Sequence, residues 1–270
     1  IESHHNSSRH AMQRIALAPC SPFSVSMDLM RETARMARSY GVSMHTHLAE
    51  NSEDIDYSVA TYGMRPGNYI EAVEWTGDDV WHAHCVKLNA DEIDLFARTG
   101  TGVAHCPCSN MRLASGITPV RAMLDAGIKV GLGVDGSASN DSGHMLNEAR
   151  QAMLLQRVNQ GSNAMSAREA LATATKGGAS VLGRDDIGML APGMAADIAC
   201  FDRRSVDFAG SDWDMLASLL FCGPPKANYT IINGRIVVAE SQLASMDMSR
   251  LLTNHRRMAH DLMVKAGHAS

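Results

Sequence analysis

Short apolar runs alternate with amphipathic stretches through the first half of the chain. Residues 15–18 form an apolar run closed by Pro19-Cys20-Ser21-Pro22 and read as a buried strand. A helix is expected from Ser26, a good N-cap with Asp28 in the first turn. Met27, Met30, Ala34 and Ala37 fall on one of its faces, and Gly41 ends it. Residues 42–47, Val80–His84, Gly102–His105 and residues 129–134 read as four further strands. Between them lie a polar, partly helical stretch reaching Glu74 and a helix over Ala90–Thr99. Another helix is expected with Thr118 as its cap, Pro119 at its first position and Gly127 after its end. Strands alternating with helices at this spacing predict an α/β fold with a parallel sheet, either doubly wound or closed into a barrel.

The texture changes after Gly143. Helical patterns cover 145–160, 166–176 and 178–182. Short strands with Gly-Pro turns are then expected over 187–202 and 228–238, as in a small β-unit, and an amphipathic helix capped by Asp247 runs to Gly267.

Composition removes several classes of function. The 270 residues are 45% hydrophobic, normal for a globular protein, and carry a formal net charge of −5. That balance argues against a nucleic-acid partner, which calls for a basic patch. No run of eighteen apolar residues predicts a membrane span. No signal-peptide pattern is visible, so a cytoplasmic chain with its six cysteines reduced is expected. Gly131-x-Gly133 lacks the third glycine of a dinucleotide-binding turn.

Chemistry-bearing residues collect where the strands end. Cys20 and Ser21 follow the first strand; His45, His47 and Glu50 mark the second, His82 and His84 the third, His105 the fourth and Asp135 the fifth. In parallel α/β folds, and in barrels above all, the C-terminal strand edge is where active sites are built. Imidazoles and a carboxylate converging there suit a zinc-like cation with one position open to water. Such a metal lowers the pKa of its water, and a separate carboxylate then carries protons; Glu50, three residues past His47, is the candidate. Singly, each residue has a plainer reading. His82 shares a strand face with His84 and fits a packed core histidine, His45 lies on the His47 face, and Asp135-Gly136 on its own reads as a tight turn.

Four motifs in this order, His47-Leu48-Ala49-Glu50, His84-Cys85-Val86, His105-Cys106-Pro107-Cys108-Ser109-Asn110 and Gly133-Val134-Asp135-Gly136-Ser137-Ala138-Ser139-Asn140, resemble the amidohydrolase superfamily, in its branch of purine and triazine deaminases and chlorohydrolases. The segments 188–198 and 231–238 resemble that family's return from barrel to β-sandwich and its last sandwich strands. The resemblance implies a (β/α)8 TIM-type barrel with strands four to eight present here, plus the C-terminal part of a small β-sandwich. The expected units are residues 1–184 for the barrel part, 185–240 for the sandwich part and 241–270 for a terminal helix.

Within the branch, the Cys20-Ser21 segment and the stretch from His105 to Gly116 look most like 8-oxoguanine deaminases; Cys20 stands where adenosine-type deaminases carry His. The implied activity is zinc-dependent hydrolytic deamination of an oxidised purine, 8-oxoguanine to urate plus ammonia. Alternatives are an s-triazine amino- or chlorohydrolase, a deaminase of guanine or another aminopurine, and, more distantly, a non-catalytic scaffold.

By resemblance, His47 and Asp135 would bind the metal, and Asp135 would also take a proton from its water. Glu50 would protonate the substrate ring nitrogen and then the departing ammonia. His84 would hydrogen-bond the attacking water and the tetrahedral intermediate. Cys20, Ser21, His105, Ser139 and Asn140 would line or support the substrate pocket. A homo-oligomer acting on a small-molecule purine or triazine base is implied. The family's first barrel strand also carries a His-x-His pair that supplies two further zinc ligands, and no segment here matches it. Since such a barrel needs eight strands, the chain is expected to be the C-terminal portion of a protein of roughly 450 residues.

Overall fold

The computed structural model describes residues 1–223 and 225–268. Pro224, inside the expected sandwich unit, and Ala269 and Ser270, at the end of the expected helical unit, lie outside the described residues.

Five strands, β1 (Ala16–Leu17), β2 (Ser43–Leu48), β3 (Val80–His84), β4 (Gly102–His105) and β5 (Val130–Leu132), form one sheet in the order β1-β2-β3-β4-β5, every pair parallel. A doubly wound sheet reverses its strand order at a switch point. Here the order never reverses, and right-handed crossovers then put all connecting helices on one face. This is the winding of a barrel, and it leaves the opposite face for function.

Local sequence explains most elements. Helix α1 (Met27–Tyr40) starts on Ser26, whose side chain accepts from the Leu29 N–H, and ends on Gly41 at φ 62°, a left-handed turn that glycine adopts without strain. Met30, Ala34 and Ala37 are its buried face. The stretch left as partly helical forms α2 (Ser52–Tyr62) and α3 (Pro66–Ala72). Asn51 and Asp54 cap α2 reciprocally, as Asn89 and Glu92 cap α4 (Ala90–Thr99). The core between sheet and helices holds Met30, Met44, Tyr69, Ile70, Trp75, Phe96 and Met123, all fully buried. Each such side chain stabilises the fold by about 1.5–3 kcal/mol of removed apolar surface.

Two expectations change. The short helix α5 (Pro107–Arg112) follows β4 directly and was not foreseen. Thr118 does not cap α6 (Val120–Asp125), which starts after Pro119 with no side-chain cap. Its hydroxyl instead donates to the His84 carbonyl oxygen at 3.1 Å and accepts from Asn110 Nδ2 at 3.1 Å. That carbonyl lies at a strand end beside the fully buried Thr118, where an unmade hydrogen bond is costly, and the first turn of α6 is served from another helix, the Arg121 N–H donating to Gln156 Oε1 at 3.1 Å.

The second half carries α7 (Met145–Gln160) and α8 (Ala167–Ala172), the latter capped by the box of Ser166 and Glu169. The helix continues through a π-turn at Thr173–Gly177 into α9 (Gly178–Val181). Beyond it, β6 (Ile198–Cys200), β7 (Tyr229–Ile232), β8 (Arg235–Ala239) and β9 (Gln242–Leu243) form a separate antiparallel sheet. Between β6 and β7, α10 (Met215–Phe221) packs on α7 and α8 and sends Leu220 into the main core. The last helix, α11 (Met248–Lys265), is capped by Asp247 and exposed along its length. All six cysteines are free.

Candidate metal centre and active site

The C-terminal ends of β2, β3 and β5 bring one ligand atom each from His47, His84 and Asp135 to within 4.8 Å of one another. Along β2, the residues Met44, Thr46 and Leu48 are buried under the helices, while His45 and His47 face the open side of the sheet. His45 stacks on Trp81 of the next strand, with ring centroids 5.2 Å apart and planes 9° apart. His47 lies one step further on, at the strand end.

His84 does not share a face with His82. His82 points into the helical layer against Phe96 and donates through Nε2 to the Trp75 carbonyl oxygen, 3.1 Å away. Burial pulls its pKa down to about 3. At His84 the backbone turns to φ 70°, followed by Cys85 at φ 52°, and alternation ends. The ring then stacks on His47 at 5.4 Å. Ala49 (φ 49°) and Asp135 (φ 62°) also adopt the left-handed region. Non-glycine residues there cost on the order of 1–3 kcal/mol each, and such strain collects at functional sites.

Each polar group is held by a partner. His47 Nδ1 meets the Cys20 carbonyl at 2.5 Å, so this nitrogen carries a proton and Nε2 is the one turned to the site. His84 Nδ1 lies 2.8 Å from Asn110 Oδ1, with the same consequence. Its Nε2 stands 3.8 Å from Glu50 Oε2, while Glu50 Oε1 accepts from Ser115 Oγ at 3.1 Å. The Glu50 N–H donates to Asp54 Oδ2 at 2.8 Å, which ties the residue to the capped start of α2. Asp135 Oδ2 accepts from Ser109 Oγ at 2.6 Å and Ser139 Oγ at 2.8 Å. Burial pushes the Asp135 carboxyl up, but these two hydroxyls, the Gly136 backbone and His84 together bring it below its ordinary value.

The residues fit a zinc-like cation. His47 Nε2 and the carboxylate of Asp135 held through one oxygen are a nitrogen-oxygen pair of the kind such ions take, and a ligand-capable atom of His84 lies within 4.8 Å of both.

The other expected site residues are placed as follows. Cys20 contributes its carbonyl to His47, and its thiol is exposed. Ser21 is buried, and its hydroxyl donates to Ser24 Oγ within a turn. Ser139 touches Asp135. Asn140 sits behind it, donating to the Val134 carbonyl. His105 is fully buried, with neither ring nitrogen hydrogen-bonded among the described residues. Burial, with His84 nearby, lowers its pKa to about 3. The sequence marked none of Ser109, Asn110, Ser115 or Thr118 as a site residue; Thr118 was expected only to cap a helix. Ser109 and Asn110 stand inside the motif that begins at His105; nothing local marks Ser115.

Comparison with known proteins gives consistent matches. The family model described as "Amidohydrolase family" matches residues 2–237. The chain is 44% identical over 263 residues to an 8-oxoguanine deaminase of Pseudomonas aeruginosa, covering 97% of this chain and 58% of that protein. It is 39% identical over 276 residues to an isoxanthopterin deaminase of an unknown prokaryotic organism, covering 96% of this chain and 57% of that protein. Among solved structures, the atrazine chlorohydrolase of Arthrobacter aurescens TC1 complexed with zinc superposes with a TM-score of 0.90 at 38% identity, over 95% of this chain and 57% of that one. The chain therefore spans somewhat over half the length of the curated relatives it matches. No helix among the described residues is long and apolar enough to cross a membrane.

Proposed function

The chain belongs to the amidohydrolase family, and we propose that it carries the proton-transfer groups and part of the metal site of a zinc-dependent hydrolytic deaminase. The proposed reaction takes 8-oxoguanine and water to urate and ammonia. The observation that carries this reading is the meeting of His47, His84 and Asp135 with Glu50 beside them.

His47 and Asp135 would hold the zinc, with two further histidines of the family's His-x-His pair expected from outside this chain. When bound, zinc supplies a water whose pKa is lowered toward neutrality. Asp135, with Oδ2 held by Ser109 and Ser139, would take up a proton from the attacking water. Glu50, anchored by Ser115 and Asp54, would donate a proton to the ring nitrogen beside the attacked carbon and, recharged with the proton that Asp135 took from the water, would pass one to the departing ammonia, regaining it from the hydroxyl of the collapsing intermediate. His84, its Nδ1 held by Asn110, would present Nε2 to hydrogen-bond the attacking water. Cys20, Ser21, His105, Ser139 and Asn140 are proposed to line or support the substrate pocket.

Residues 1–184 are proposed as the barrel part and 185–240 as the sandwich part; the proposed helical unit, 241–270, also contains β9, which pairs with β8 of the second sheet, so its helix begins only at Met248. A cytoplasmic homo-oligomer belongs to it through family resemblance alone. The 8-oxoguanine choice is supported by the 44% identical relative and by Cys20. A triazine reading is favoured by the likeness to the atrazine chlorohydrolase. The two differ in pocket contacts to exocyclic groups rather than in the metal or the acid.

Ammonia release by the full-length protein from 8-oxoguanine, guanine, isoguanine, cytosine and hydroxyatrazine tests the proposal. Turnover of 8-oxoguanine is expected; its absence overturns the substrate, and an active but metal-free enzyme overturns the mechanism.

A further inference from the structure

Glu148 lies on α7, away from the strand ends, and is fully buried. No arginine, lysine or histidine forms an ion pair with it among the described residues. Hydrogen-bond donors meet both of its oxygens instead. Oε1 accepts from Asn140 Nδ2 at 2.7 Å, and Oε2 accepts from the Cys108 N–H at 3.1 Å. Burial, and after it the neighbouring Glu148 carboxylate, push the Cys108 thiol up to about 12.

These two partners have a common consequence. Cys108 precedes Ser109, and Asn140 follows Ser139; these are the two serines whose hydroxyls grip Asp135 Oδ2. Helix α5, which carries Ser109, has no side-chain cap of its own. Its first turn therefore has unsatisfied N–H groups, and Glu148 supplies from another helix the acceptor that a capping residue provides. On the other side, Asn140 Nδ2 also donates to the Val134 carbonyl at 2.8 Å, closing the loop that carries Asp135.

We infer that Glu148 is a positioning residue for the metal centre: by holding Cys108 and Asn140 it sets the two serines that orient Asp135. The inference rests on the reading of Asp135 as a metal ligand. It explains why an acidic side chain is buried here, since the two donors meet different oxygens and both ends of the group must accept. A glutamine in its place has one acceptor oxygen and one amine. Whichever way the amide turns, one of the two bonds becomes a donor facing a donor.

The test is zinc affinity, measured in the full-length protein by competition with a chromophoric chelator, together with the melting temperature of the metal-free form. Glu148→Gln is expected to weaken zinc binding about 10–100-fold, the usual effect of removing a group that orients a ligand. Met153→Ala is the control: it opens a cavity at a fully buried position of the same helix and is expected to lower the melting temperature at least as much while leaving zinc affinity unchanged. If Glu148→Gln fails to fold, Asn140→Ala releases only the Asp135 loop and is expected to weaken zinc binding in the same way. Wild-type affinity in the variant that folds overturns the inference, as does an equal loss in Met153→Ala. A wild-type protein that binds no zinc overturns the metal reading itself, and the inference with it.

Discussion

His84 Nδ1 and Asn110 Oδ1 lie 2.8 Å apart in a site closed to solvent on both sides. Asn110 Nδ2 donates in turn to Thr118 Oγ1, and Thr118 Oγ1 donates to the His84 carbonyl. The ring closes on itself, so each polar atom has one role. Asn110 must present its oxygen to the imidazole, Nδ1 must carry a proton, and Nε2 is the nitrogen that faces Glu50.

Replacing Asn110 with leucine removes the group that sets this tautomer. In the proposed deaminase, Asn110→Leu is expected to lower kcat by roughly 10²-fold, the lower range for a misplaced general acid-base group, with little change in KM. Steady-state ammonia release measures both constants. An unchanged kcat would mean that the proton on His84 is set elsewhere.

A second pair fastens the N-terminal segment to the far side of the fold. Asp186 accepts from Arg184 Nε at 2.6 Å and Arg184 Nη2 at 2.8 Å, and from the His10 N–H at 2.6 Å. The Arg184 guanidinium is the main reason that its carboxyl stays well below the usual range. Breaking a buried pair from one side costs on the order of 3 kcal/mol, so Asp186→Asn is expected to destabilise by about that much at pH 7. Because the folded-state pKa is depressed, this stabilisation is complete above the unfolded value, about pH 4, and fades as pH falls below it. Urea denaturation of wild type and variant at pH 7 and pH 3 should show the difference shrinking in acid; a difference independent of pH would contradict the role of the pair.

Gly177 sits in the π-turn against the start of β5. A Cβ there would lie 2.1 Å from the Val130 carbonyl oxygen and 3.4 Å from that of Ala172. Neither is the end of a flexible side chain, so backbone has to move. Gly177→Ala is expected to destabilise by about 1–3 kcal/mol, the cost of overpacking a close contact. Thermal unfolding reads this directly, and an unshifted melting temperature would show that the turn relaxes freely.

With the family's His-x-His pair unmatched in its sequence, the 270-residue chain expressed alone offers two of the four ligands expected by resemblance. It is expected to bind zinc weakly and to show no deaminase turnover, while the full-length protein loses activity and melts at lower temperature when a chelator strips its metal. Zinc titration and ammonia release on both proteins check this. Measurable turnover by the 270-residue chain would refute it.

How far the site could be read from the sequence depends on the range of the interactions. The bounds of β3, α4, β4 and α7 matched their hydrophobic patterns and caps, because periodicity, N-cap residues and stopping glycines act within a few positions. His47, Glu50, His84 and Asp135 were legible because strand ends carry chemistry in parallel folds, and their motifs are short and ordered. The fault came at His84: strict alternation places it with His82, and a backbone turn to positive φ, invisible to period-two reasoning, moves it to the other face.

The residues that hold those four in place belong to the tertiary structure. Ser109 reaches Asp135 across 26 positions, Asn110 reaches His84 across 26, and Glu148 reaches Cys108 across 40. Thr118 read as a cap until the fold put a buried carbonyl beside it. Local pattern fixes which segments become strands and helices and which end of each strand bears ligands, since those preferences act between near neighbours. The direction each ligand points, the ring nitrogen that keeps its proton and the carboxylate that clamps two serines follow from donors and acceptors that meet only once the sheet is wound. Buried polar groups must find partners wherever the fold brings them.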